Sequence, residues 1–378
     1  MIYLDNAATS IDKDPSTARA MYKALMDKNL ANPSRGAHKL SINSLRELIL
    51  VRQTIGDFFD LDDPTRVILT PNITYGLNII IRSLFKKGDH LITSISEHNS
   101  VLRPLYDFRR QGGDFSFIGL DDDFNLRLDQ IPRLVRKNTK ALILTGASNI
   151  SGKVTDLKKA HALARSFGLD LIIDGAQIAG CIDFSMRDFD QTIFAFTGHK
   201  GLHGPQGTGG FLVKGDFSFN QVFSGGSGFD SFLKNQPTNL PDLFEVGTIN
   251  LPSFIGLKKA IEKISIDKPY QKLDILTRYL YKGLKDIGGL DFYTKLAKIN
   301  APIVSFNIKG INAKDLALIL DQDYDICLRA GAHCAPLFHK RYKTVDSSIL
   351  RASLAYTTRK EDLDTFINAI REIKNKNL

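Results

Sequence analysis

Short, continuous apolar runs recur along the chain at Val67–Leu69, Leu91–Ile95, Ala141–Leu144, Leu169–Ile173 and Ile193–Phe196. Between them lie stretches with helical spacing of apolar residues, such as Tyr75–Phe85 and Leu157–Phe167. Strands that are apolar at every position, alternating with helices, predict a mostly parallel sheet covered on both faces. In such sheets ligands sit at the carboxyl ends of the strands. Each run here gives way to a cluster of polar or small residues: Thr70–Thr74, Ser96–Asn99, Thr145–Asn149, Asp174–Gln177 and Thr197–Lys200. These clusters are expected to converge on one site.

Beyond Asn250 the pattern changes to a helix from about Ile255, a long helix within Pro269–Ile287, and short strands near Ile303–Ile308 and Ile326–Arg329. A final helix is announced by Thr358 and Glu361, spaced as a capping box, with Leu363, Phe366, Ile367 and Ile370 on one face. A chain of 378 residues exceeds the ~250–300 at which single cores stop growing, so two domains are expected. The division predicted is a large α/β domain over residues 15–250 and a smaller α+β domain from residues 1–14 and 251–378. The segment Met1–Ser10 is expected beside the smaller domain.

Charge and cysteine content narrow the function classes. The formal charge of +9 comes from 50 Lys and Arg scattered in nothing longer than pairs such as Lys86–Lys87, so no nucleic-acid partner is expected. No apolar run approaches the ~18 residues of a membrane span, and no leader-like segment precedes Ile2–Asn6. A soluble, cytoplasmic protein with no membrane partner is the expectation. Three cysteines, Cys181, Cys327 and Cys334, do not make a disulfide framework and direct attention to thiol chemistry. Cys327, His333, Cys334 and His339 lack the paired spacing of a zinc site, so no metal is expected.

Several residues carry two readings each. Lys200 follows a strand end in Thr197-Gly198-His199-Lys200. It is either a surface lysine in a glycine loop or an amine whose pKa is lowered enough to form a Schiff base, as pyridoxal phosphate requires. Asp174 either caps a helix or holds a pyridine nitrogen protonated. His98 is structural or stacks on a ring. Thr74 is a plain N-cap or part of a phosphate site at a helix start. Arg351, inside the apolar run Leu350–Ala352, meets either a substrate carboxylate or a structural acid. Cys334 lies in a small-residue loop, expected to be mobile, with Arg329 and His333 close by to favour thiolate.

Taken together, Tyr3–Thr9, the stretch Asn32-Pro33-Ser34-Arg35-Gly36-Ala37-His38, Glu97-His98, Asp174–Gln177, Thr197–Lys200, Gly247-Thr248 and Arg329–Ala335 resemble the cysteine desulfurases of the class V aminotransferase superfamily. The short loop around Cys334 resembles their group II, selenocysteine-lyase-like branch. The resemblance implies a fold-type I homodimer that binds pyridoxal 5'-phosphate. It implies that Lys200 forms the internal aldimine, Asp174 pairs with the ring nitrogen, His98 stacks on the ring and Gln177 approaches the phenolic oxygen. Thr74, Thr197 and His199 would hold the phosphate, with Thr248 reaching across from the other subunit. Asn149, Arg351 and Arg329 would bind L-cysteine, and Cys334 would take its sulfur as a persulfide and pass it to an acceptor protein. Ile73 and Tyr75 depart from the family pattern at the phosphate cup. The rival readings are a selenocysteine lyase, a non-catalytic cofactor-binding scaffold for sulfur transfer, and an aminotransferase or β-lyase in which Cys334 is incidental.

Overall fold

The computed structural model describes residues 1–33, 36, 38–226, 228 and 232–376. In chain order its strands are β1 (Ile2–Tyr3), β2 (Val67–Thr70), β3 (His90–Ser94), β4 (Asp114–Ile118), β5 (Thr139–Thr145), β6 (Asp170–Asp174) and β7 (Thr192–Thr197). They continue with β8 (Gly209–Lys214), β9 (Leu290–Phe292), β10 (Ile303–Ile308), β11 (Ile326–Cys327), β12 (Arg329–Gly331) and β13 (Ile349–Ser353). Seven form one sheet in the order β2-β8-β7-β6-β5-β3-β4. Only β8 runs against the others, pairing antiparallel with both β2 and β7. The carboxyl ends of β2, β3, β5, β6 and β7 therefore share one edge.

The continuous apolar runs have a direct physical cause. Leu142, Leu144, Leu171, Ile173, Phe194 and Phe196 fill the core on one face of the sheet. Their neighbours Ala141, Ile143, Ile172, Ile193 and Ala195 fill the core on the other. Successive side chains point to opposite faces, so a sheet buried twice has no polar alternation. Each fully buried Leu, Ile or Phe contributes roughly 1.5–3 kcal/mol.

The smaller unit is a four-stranded sheet, β12-β13-β10-β9, over a core that includes Leu280, Leu316, Phe306 and Phe366. The expected strand Ile326–Arg329 divides in two. β11 pairs in parallel with β1, whereas β12 turns to pair antiparallel with β13. Pairing with β1, together with burial of Leu4, brings the first residues against this unit. The helix Leu251–Asp267 lies beyond the boundary expected after residue 250. Its Leu251, Phe254, Leu257 and Ile261 nevertheless belong to the large-sheet core, because this helix packs across α1 (Pro15–Met26) and α2 (Lys39–Phe58). The last helix, Lys360–Lys376, presents the expected apolar face. Its start differs, with Thr358 Oγ1 accepting from Ala355 N and Asp362 Oδ2 accepting from Arg359 N. No helix among the described residues is long and apolar enough to cross a membrane.

Candidate active site

The five strand-end clusters do converge. Thr74, His98, Asn149, Asp174, Gln177, Thr197, His199 and Lys200 line one cavity of about 650 Å3. The smaller unit closes its other side with Arg329, His333, Cys334 and Arg351, and the segment after β1 adds Ala7 and Ala8. Thr248 is not among them. It is exposed and lines a separate cavity of about 630 Å3, near the buried ion pair of Arg52 and Glu245. Ser34, Arg35 and Ala37 of the Asn32–His38 stretch lie outside the described residues.

On the sheet side, burial sets the charges. Asp174 is the last residue of β6, and its Oδ1 accepts from Ala176 N at 2.9 Å. The turn that follows demands glycine: a Cβ on Gly175 would lie 2.3 Å from the Phe194 ring and 2.6 Å from Ala195 O. Burial raises the Asp174 pKa, with the Lys200 cation opposing it. Burial likewise pulls Lys200 down to about 8, against the pull of Asp174. An appreciable share of the amine is therefore unprotonated and nucleophilic near neutrality. His98 caps α4 (Asn99–Arg110), its Nδ1 accepting from Ser100 N at 3.0 Å. Desolvation and the nearby Lys200 hold His98 down to about 4, so the ring is neutral and carries its proton on Nε2. Ser100 Oγ stands 2.8 Å from both His98 Nδ1 and Thr74 Oγ1. His199 is also held near 4, by burial and then Lys200, and bonds Thr9 Oγ1. Gln177 Nε2 donates to Ala7 O at 3.2 Å.

The N-terminus of α3 (Ile73–Leu84) faces the same space. Asn72 caps it by accepting from Tyr75 N, which leaves the amides of Ile73 and Thr74 without intrahelical acceptors. Both residues line the cavity. The two departures noted at the cup do not fill it: Ile73 is buried in the core, and Tyr75 is exposed and stacked on Phe223 at 5.9 Å.

The opposite side is tied to the sheet side at several points. Cys334 O accepts from Asn99 N at 2.8 Å, and His333 O accepts from Asn149 Nδ2 at 2.6 Å. His333 Nε2 pairs with Ile349 O at 2.8 Å. Burial, then Arg351, pushes His333 down to about 3, so it is neutral and supplies no charge to the thiol. Arg329 is the remaining cation of the expected pair. Of its two anticipated environments Arg351 meets the structural acid: Nη2 pairs with Asp5 Oδ1 at 2.8 Å and Nη1 donates to Asn149 O, while the buried Nε has no partner among the described residues. Asn149 gives one of its two amide N–H donors to His333 O, which leaves the second for a carboxylate. Cys181 lies beside Gly201 with its thiol pushed up to about 12 by burial, and Cys327 pairs with Asp321. Cys334 is the exposed cysteine, and it alone of the three lines this cavity.

A sequence model of the family described as aminotransferase class-V matches residues 2–366. The chain belongs to the class V aminotransferase family. Members of this family use pyridoxal phosphate. Among curated class V relatives, probable cysteine desulfurases of Methanothermobacter thermautotrophicus and Pyrococcus abyssi are each 30% identical. The matches cover 98% and 99% of this chain and 94% of each relative. Among solved structures, a cysteine desulfurase from Thermococcus onnurineus superposes with a TM-score of 0.91 at 29% identity, covering 99% of this chain and 95% of that one. The cysteine desulfurase CsdA from Escherichia coli gives 0.87 at 25%, covering 100% and 95%.

Sequence reasoning passed over some residues that shape this class V site. Glu97 is fully buried, accepting from Ser94 Oγ (2.5 Å) and Thr145 N (2.9 Å) and so joining the ends of β3 and β5. Its place beside His98 was the available signal. Asp5 was visible only as part of Tyr3–Thr9, since its partner Arg351 lies 346 positions away.

Proposed function

We propose that this protein is a pyridoxal-phosphate-dependent L-cysteine desulfurase that yields L-alanine and a persulfide on Cys334. The observation that carries the reading is one cavity holding Lys200, Asp174, Arg351 and Cys334 together. The donor set fits the cofactor: Thr197 Oγ1 is buried there without a partner among the described residues, in the same cavity as the amide-lined start of α3 and an amine-carboxylate pair. Bound there, pyridoxal phosphate supplies a ring that spreads the negative charge left when the substrate α-proton departs.

Thr74, Thr197 and His199 hold the phosphate, with the α3 dipole favouring the anion. Asp174 would keep the ring nitrogen protonated, neutral His98 would lie against the ring, and Gln177 would serve its phenolic oxygen. Lys200 anchors the cofactor and, once displaced by substrate, takes the α-proton on Nζ. Arg351, whose Nε has no partner among the described residues, orients the substrate carboxylate, helped by Arg329 and by the second amide N–H of Asn149. Cys334 as thiolate attacks the substrate sulfur; an S–S bond forms, the C–S bond breaks, and its electron pair stays with the carbon skeleton. That fragment is protonated and leaves as alanine. Thr248, exposed and outside its own chain's cavity, supports a homodimer in which it serves the phosphate of the second subunit. The tied loop supports delivery to a sulfur-acceptor protein that approaches the enzyme.

Mass spectrometry after adding L-cysteine tests the reading. One added sulfur on Cys334 is expected, and none in Cys334→Ser. Sulfur on Cys181 or Cys327, or full cysteine turnover by the serine variant, overturns it.

A further inference from the structure

Cys334 opens on two spaces. Besides the inner cavity it lines an outer groove of about 440 Å3 that runs over the flanks of α3 and α4. The outer walls of that groove carry Arg82 from α3 and Arg103, Asp107 and Arg110 from α4. Asp107 accepts from Arg82 at 2.8 Å and from Arg110 at 2.7 Å, whereas Arg103 is exposed and forms no ion pair among the described residues. Three guanidinium groups thus face one carboxylate, an excess of two positive charges directly outside the thiol.

We propose that this groove is the docking surface for the sulfur acceptor, and that the segment it receives is an acidic stretch of a protein bearing its own thiol. The inference rests on the reading of Cys334 as the persulfide carrier. Two features favour an extended segment over a small thiol. Arg103 and Arg110 stand seven residues apart on one helix, or about 10 Å, a length matched by roughly three residues of extended chain. The loop bearing Cys334 is held at Asn99 and Asn149, so the sulfur does not travel outward and the acceptor thiol must come in. There the acceptor thiolate attacks the outer sulfur of the persulfide. A new S–S bond forms on the acceptor, the old S–S bond breaks, and Cys334 leaves as thiolate with no net oxidation. The arginines steer the acidic segment and fix its register.

The test uses holoenzyme loaded with L-cysteine and offered synthetic peptides that carry one cysteine flanked by glutamates, by glutamines or by lysines. Sulfur on each peptide is followed by mass spectrometry. At low salt the glutamate peptide is expected to take sulfur roughly tenfold faster than the lysine peptide, with the ratio collapsing at high salt. Arg103→Glu should shrink the ratio while sulfur still loads onto Cys334 from L-cysteine. Equal rates for the three peptides, or a preference untouched by salt and by Arg103→Glu, overturn the groove while a normal persulfide leaves the desulfurase reading standing. Absence of persulfide on wild-type Cys334 overturns both.

Discussion

On the sheet side of the cavity, Asp174, Lys200 and His98 sit at strand ends or in the first turns beyond them. On the opposite side Cys334 hangs on a loop where His333 and Cys334 take left-handed φ values of 47° and 55°. The first side is placed by the sheet itself, and burial there sets the charges. The second is placed by bonds to distant partners: Asn149, Asn99 and Ile349. Two consecutive non-glycine residues in that conformation cost roughly 1–3 kcal/mol each, which the surrounding ties must offset. Positioning of charge and positioning of the thiol are therefore separable, and each can be broken alone.

The largest effect is expected on the sheet side. Lys200→Ala should lower cysteine turnover by about 10³-fold, since both the anchor and the proton acceptor are lost. Borohydride treatment of wild-type holoenzyme should fix the cofactor on Lys200; a peptide map with the adduct on another lysine removes that assignment.

An intermediate effect is expected on the tied side. Asn149→Ala strands the His333 carbonyl, which should cost about 1–3 kcal/mol and speed amide exchange around Ala332–Ala335. Thermal unfolding and hydrogen exchange report both, and an unchanged loop would mean that Asn99 and Ile349 suffice.

A further effect is a slope. Burial pushes the Glu97 carboxyl from its ordinary 4.5 up to about 8. Between those values the native state holds a proton that the unfolded chain has released, so stability contributed below pH 4.5 is lost as pH rises through 8. Glu97→Gln should flatten the dependence of Tm on pH between 5 and 8. Parallel curves for variant and wild type would place the proton elsewhere.

The same contrast decides what was legible in the sequence. Val67–Leu69 and Ile193–Phe196 announced strands because both faces are buried, and the strand-end clusters located the sheet side of the site. The strand β8 was missed because Gly209-Gly210 disguise its start. Glycine is required there, since a Cβ on Gly210 would lie 2.3 Å from Ile68 O. The ties of the second side were not legible because small residues in a loop suggest freedom, and periodicity carries no trace of partners such as Asn149. His333 was misjudged for a related reason: proximity in sequence suggested a cation, while burial makes it neutral.

The pairings of β1 with β11 and of Asp5 with Arg351 have a consequence for biosynthesis. The seven-stranded sheet is complete in the nascent chain by Lys214, and with it the amine and carboxylate of the sheet side. The earliest residues must wait through more than three hundred translation steps for their partners. Domains emerging from the ribosome fold as units, N-terminal parts first. When Lys214 has been added all seven strands exist, whereas the helix Leu251–Asp267 that completes their core, and the loop of Cys334, are still to be made.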